Sequence, residues 1–126
     1  MKADLHNHSY YSDGVLSPSE VVKLASEAEC DLFSLTDHDT TDGIAEAQLE
    51  ADKLNLNLIN GVEISALWRN MAIHILGLGI DINNDILQTG LEHNQKLRKE
   101  RAEKIALGLW RSGIKDALEK TQSFSK

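Results

Sequence analysis

Short apolar runs in this chain repeatedly end on an imidazole or a carboxylate, and that arrangement restricts the fold more than any other feature. Residues 3–5 lead into His6-Asn7-His8, and residues 32–35 lead into Thr36-Asp37-His38-Asp39. Leu58-Ile59-Asn60-Gly61-Val62 leads into Glu63, and His74 lies inside the apolar run 72–77. Histidines at i and i+2 on extended backbone point to the same side, because a strand has a period of two. One ion can therefore take both rings of His6 and His8. A lone His-x-His is a weak signal. Its repetition along the chain reads as a metal site built from successive strand ends.

The rest of the pattern places those ends in an α/β framework. Ser17-Pro18-Ser19-Glu20 opens a helix, with Ser17 as N-cap, Pro18 at the first helical position and Glu20 completing a capping box. Val21, Val22, Leu24, Ala25 and Ala28 form its apolar stripe. Thr41 or Asp42 is the expected cap of a second helix, carried by Ile44, Ala47, Leu49 and Ala51. Residues 56–59 alternate as a third strand. Residues 64–67 and 71–78 predict a hairpin turning at Arg69-Asn70. This βαβα order implies a largely parallel sheet with helices outside. Residues 84–112 read as one long charged helix stopped by Gly113, with Leu87, Leu91, Leu97, Ile105 and Leu109 as its apolar side. We expect Leu91, Leu97 and Ile105 to be core, and a further short helix over 116–124. No repeat or Gly/Pro-rich linker divides the chain. The expectation is a single domain over 1–126, with βα units in about 1–80 and a helical segment in about 84–126.

The 126 residues and 41% hydrophobic content allow one modest core. The formal charge of −7 disfavours generic binding to a polyanion. It leaves room for a phosphorylated substrate, because clustered carboxylates and imidazoles can carry divalent cations that reverse the local sign. Cys30 is alone, which fits a reduced, cytoplasmic setting. There is no signal-peptide pattern at the start and no apolar run of membrane-spanning length.

In parallel α/β proteins, function gathers at the carboxyl ends of strands. Mixed imidazole and carboxylate donors suit Mn²⁺, Zn²⁺ or Fe²⁺ better than Mg²⁺ or Ca²⁺. Glu63 can bridge two ions, and closely spaced ions can activate water and steady a leaving oxygen in phosphoester hydrolysis. No Ser/His/Asp elbow, P-loop or Rossmann fingerprint competes. Taken singly, each histidine reads equally as a structural or surface residue. Asp37 and Asp39 can either cap the following helix or orient a ligand imidazole, and Asp39 is our candidate for the latter, catalytic role. Ser65 and Trp68 are either packing or substrate contacts. His93 reads as a solvated surface residue. Arg98 and Arg101 are either a solvated helix face or phosphate clamps, since guanidinium binds phosphate bidentately.

The ordered set His6-Asn7-His8, Ser12-Asp13-Gly14, Thr36-Asp37-His38-Asp39, Gly61-Val62-Glu63-Ile64-Ser65 and His74-Ile75-Leu76-Gly77 resembles the N-terminal half of the PHP (polymerase and histidinol phosphatase) superfamily, over about residues 3–79. The stretches Arg98-Lys99-Glu100-Arg101-Ala102 and Gly113-Ile114-Lys115-Asp116 resemble its 3′,5′-nucleoside bisphosphate phosphatase and 5′→3′ exoribonuclease branch. The resemblance implies the N-terminal half of a distorted (β/α)7 barrel followed by a long helix. It implies a metal-dependent phosphoesterase acting on a phosphorylated small molecule, a nucleotide or an RNA 5′ end. It also implies His6, His8, Asp13, His38, Glu63 and His74 as ligands of divalent ions, Mn²⁺ first among them. A histidinol phosphatase, a proofreading-type exonuclease or a non-catalytic metal-binding remnant are the alternatives within it. Further ligands of the superfamily, a histidine and an Asp-x-His, belong to a C-terminal half. After residue 79 this chain has only His93. The expectation is a truncated, fragmentary or split barrel that self-associates or docks a complementary C-terminal half.

Overall fold

A computed structural model describes residues 1–123 of the chain. The first strand, β1 (Ala3–Asn7), leads through a long loop to helix α1 (Pro18–Glu27). Helix α1 starts where expected: Ser17 Oγ accepts from the Glu20 N–H at 3.2 Å, and the Glu20 carboxylate accepts from the Ser17 N–H at 2.8 Å. Strand β2 (Leu32–Leu35), helix α2 (Ile44–Leu54) and the short strand β3 (Asn57–Leu58) follow. Strands β1, β2 and β3 pair in that order, all parallel, as the alternating pattern requires. Helices α1 and α2 pack together over this sheet. Val22 and Ala25 from α1, Ala47 and Ala51 from α2, and Phe33, Leu35 and Leu56 form the core between them.

Helix α2 departs from the expected capping. Its N-cap is Gly43, without a side-chain cap hydrogen bond, rather than Thr41 or Asp42. The Thr41 hydroxyl is instead occupied by Gln88 Nε2 at 3.0 Å, while the Thr41 carbonyl accepts the Ile44 N–H. A side chain at Gly43 would press on Leu35 and Pro18, each 3.0 Å from the position of its Cβ. Packing of the α1–α2 layer, not capping chemistry, thus chose the residue.

Strands β4 (Gly61–Trp68) and β5 (Met71–Leu78) form an antiparallel hairpin in continuous register, from Gly61 opposite Leu78 to Trp68 opposite Met71. Arg69 and Asn70 both take positive φ, 49° and 64°, as a two-residue hairpin turn demands. The hairpin joins the parallel sheet through one bridge: the Asp39 N–H donates to the Glu63 carbonyl, and the Glu63 N–H donates to the Asp37 carbonyl. The described strands therefore make two open sheets, and no closed barrel is formed among them.

Helix α3 (Asp85–Arg111) is capped by Asn84, whose Oδ1 accepts from the Leu87 N–H, and it ends before Gly113 at φ 89°. Its apolar side is not the expected core. Leu91 is buried, but Leu97 is 48% exposed and Ile105 53% exposed. Near its first turns the helix is held to the body through Gln88, Leu91, Asn94 and Gln95, and one turn on Arg98 reaches Ser65 and Asp39. Helix α4 (Ala117–Gln122) follows; the expected extension to Phe124 lies outside the described residues. No helix among the described residues is long and apolar enough to cross a membrane.

Phe33 is fully buried at the centre of the core. Phe33→Ala is expected to cost about 3–5 kcal/mol, because the parallel sheet cannot collapse into the space left. Urea unfolding followed by circular dichroism measures it.

Candidate metal centre

The first imidazoles come from the end of β1. The β1–β2 register slips between Asp4 and Asn7, so an extra residue of β1 is accommodated there. Such irregularities re-aim side chains near functional sites. The outcome preserves the i, i+2 logic: His6 Nε2 and His8 Nε2 lie 2.9 and 3.1 Å from the same oxygen, Glu63 Oε2. His38 follows the end of β2, at the bridge to β4, and its Nε2 is 3.6 Å from that oxygen. His74 sits on β5, where the hairpin register places it diagonally from Glu63 on the same face. Its Nδ1 is 3.0 Å from the other oxygen, Glu63 Oε1. Asp13 reaches in from the loop after β1, 3.3 Å from His8 Nδ1 and 3.5 Å from His38 Nε2.

The sequence-predicted ligands thus come together in space although they are spread over residues 6–74. Their donor atoms form overlapping triads, His6–His8–Glu63, His8–Asp13–His38 and His38–Glu63–His74, each compact enough for one ion. Glu63 belongs to two triads, as expected of a bridging carboxylate. The donor set fits divalent transition cations, because imidazole lone pairs and carboxylates converge in it. Burial holds the His38 imidazole below its ordinary pKa, against the pull of Glu63 and Asp13, so its lone pair is free near neutral pH. Burial pushes the Glu63 carboxyl up. The hydrogen bond from His6 and the charges of His38, His6 and His8 outweigh that and hold it below the usual range.

The acids flanking His38 do not touch imidazoles, and neither caps α2. Asp39 is fully buried at φ 55°, and its carboxylate accepts from the Ser65 N–H and hydroxyl (2.8 and 2.6 Å) and from Asn94 Nδ2 (2.8 Å). Arg98 Nη1 lies 3.5 Å from it and 3.2 Å from Ser65 Oγ. The imidazole-orienting geometry expected of Asp39 is therefore absent, because Ser65 and α3 consume its oxygens. Burial raises its carboxyl pKa, but the Ser65 and Asn94 hydrogen bonds and Arg98 leave it lowered overall. Arg98 and His38 line one cavity of about 250 Å³ together with Tyr11, Ser12 and Gln95. Arg101 lines a second cavity, of about 380 Å³, with His74 and His93. His93 is exposed, and Trp68 stacks under Arg69 at the hairpin tip, away from the cluster. Asn94 and Gln95 were not singled out by sequence; no local pattern marks them, and only the docking of α3 brings them to Asp39.

The fold and the cluster together define an α/β protein that gathers imidazole and carboxylate donors able to hold divalent cations around one buried carboxylate. The chain belongs to the PHP domain family, whose model matches residues 4–109. It is 43% identical over 125 residues to a 5′-3′ exoribonuclease, Rnm, of Escherichia coli, covering 98% of this chain and 43% of that protein. It is 43% identical over 111 residues to a 3′,5′-nucleoside bisphosphate phosphatase of Chromobacterium violaceum, covering 88% of this chain and 39% of that protein. The solved structure of an amidohydrolase from Chromobacterium violaceum, with bound sulfate and no metal, superposes with a TM-score of 0.95 at 38% identity, over 100% of this chain and 44% of that one. A solved protein of Bifidobacterium adolescentis shares the fold, with a TM-score of 0.83 at 24% identity over 93% of this chain and 44% of its own. The chain thus spans under half the length of these two curated relatives.

Proposed function

We propose that this chain supplies the metal-binding half of a phosphoesterase that hydrolyses phosphate esters of nucleotides or RNA 5′ ends. The observation that carries the reading is the convergence of His6, His8, His38 and His74 on Glu63, all within 3.6 Å. Those residues and Asp13 would hold divalent cations, Mn²⁺ first, with Zn²⁺ or Fe²⁺ as the other fits to the donor set. Bound cations supply an activated water and neutralise phosphate charge. The substrate class follows the relatives named as a nucleoside bisphosphate phosphatase and an exoribonuclease.

The chain's own residues add to this. Arg98 is tethered to Asp39 and Ser65, so its guanidinium is presented to the cavity beside His38 rather than waving from the helix. We assign Arg98, with Arg101 further along the same helix, to the substrate phosphate. Asp39 then serves by positioning Arg98, not by handling a proton. The single domain over 1–126 is in this reading one half of a distorted (β/α)7 barrel, completed by a complementary segment.

Phosphate release from a nucleoside 3′,5′-bisphosphate with Mn²⁺ tests the function. The chain alone is expected to show low activity, rising severalfold or more when the second half of a PHP domain is added in trans, and falling to background with His8→Ala. No gain on complementation would overturn the half-enzyme reading.

A further inference from the structure

We infer that Asp37 is a positioning residue that fixes the Asp13-bearing loop in its ion-binding place; the inference rests on the metal reading above. Asp13 sits on no strand or helix, and its side chain is 60% exposed, so only the fold of residues 8–14 holds its carboxylate at His8 and His38. That loop is wound around Ser9, which is fully buried. The Ser9 carbonyl accepts from the Ser12 N–H at 3.1 Å and the Gly14 N–H at 2.9 Å, and Ser9 Oγ accepts from the Tyr11 N–H at 3.2 Å. At Gly14 the turn is so tight that a Cβ would lie 2.5 Å from the His8 carbonyl oxygen.

Asp37 anchors this turn to the end of β2. Its Oδ1 accepts from the Ser9 N–H at 2.7 Å and from Ser12 Oγ at 2.6 Å, and its Oδ2 accepts from Ser9 Oγ at 2.6 Å. The residue is only 2% exposed, and a carboxylate is buried this deeply without great cost only when such donors satisfy it. Both oxygens are thereby taken, so Asp37 belongs to none of the donor triads. Its backbone carbonyl meanwhile accepts from the Glu63 N–H at 3.1 Å. One residue therefore sets the distance between the loop carrying Asp13 and the strand carrying Glu63. Groups that hold ligands in this way are worth 10–100-fold in metal affinity in other proteins.

Asp37→Asn keeps the shape and one acceptor oxygen, so it tests the anchoring with little threat to folding. Two measurements on the whole chain decide. In the metal-free protein, amide hydrogen exchange at Ser12 and Gly14 is expected to speed up about tenfold or more, while amides of α1 and α2 keep their protection. In Mn²⁺ titrations, Asp37→Asn is expected to weaken binding about 10–100-fold, and to add nothing in an Asp13→Asn background, because a residue that acts through another is not additive with it. Unchanged exchange at Ser12 and Gly14, or loosening spread over the whole chain, would overturn the inference whether or not the parent chain takes Mn²⁺. Effects of the two substitutions that add would overturn it as well. A parent chain that ignores Mn²⁺ defeats the metal reading instead, and the exchange result still decides the anchoring.

Discussion

Glu63→Gln is expected to weaken Mn²⁺ binding by more than about a hundredfold, beyond the loss typical of a residue that merely supports a ligand. Glu63 is the one side chain that meets His6, His8, His38 and His74, with Oε2 shared by three imidazoles and Oε1 facing the fourth. The amide keeps the size of the carboxylate but removes its charge and turns one acceptor into a donor aimed at lone pairs. Two donor triads lose their common member at once. The fold holds the Glu63 carboxyl below its usual range, so its charge is favoured in the metal-free fold and its loss is also expected to lower the metal-free melting temperature. The two affinities are therefore compared at a temperature where both metal-free chains are folded. His93→Ala, altering an exposed residue outside every triad, should leave binding unchanged. Calorimetric titration of chelator-stripped protein measures both. An E63Q chain that binds Mn²⁺ as tightly as the parent would show that the cluster is not an ion site. Affinity should also fall as pH drops, because protons compete for imidazole lone pairs; at His38, whose pKa burial lowers, that competition sets in only below the ordinary imidazole range.

The second large effect concerns apolar surface that the described residues leave uncovered on both faces of the hairpin and on α3. Leu67 is 78% exposed, Met71 59%, Ile75 50% and Trp110 59%. Strand β5 has β4 on one side and, among the described residues, no strand on the other. A free edge flanked by apolar side chains templates pairing with another chain. Each such side chain gains at most about 1.5–3 kcal/mol on full burial, so only covering many of them together offsets the entropy of association. The chain alone is expected to form oligomers or aggregates at micromolar concentration by light scattering. Adding the second half of a PHP domain should replace them with a defined complex. Ile75→Lys should shift the isolated chain toward monomer. A parent chain that stays monomeric across the same range would count against both the free edge and the complementary half.

The parts of the molecule legible in its sequence are those governed by neighbours along the chain. Ser17-Pro18-Ser19-Glu20 forms its box because the partners are three residues apart, and the hairpin turns at Arg69-Asn70, where Asn70 is at ease at positive φ and Arg69 is carried there by the two-residue turn. The placing of His6, His8 and His38 at or just past the ends of β1 and β2 was readable for the same reason, since apolar runs mark where strands stop; Glu63, expected just past a third strand, lies instead near the start of β4. The distances among these residues were not readable. They depend on how β1, β2 and β4 lie side by side, including the slip in β1 and the single bridge at His38.

The two aspartates beside His38 make the division plain. As sequence, Asp37 and Asp39 are equivalent acids before a helix. Folded, the left-handed turn at Asp39 sends its carboxylate to Ser65 and α3, while Asp37 closes on Ser9 and Ser12. Helix α3 makes the same point about surfaces. Its periodicity determines that Leu91, Leu97 and Ile105 belong to the apolar side, but only Leu91 is buried. A helix's own residues determine which side chains share a face. Whether that face is covered depends on what packs against it, and hydrophobic burial is a property of the assembled pair.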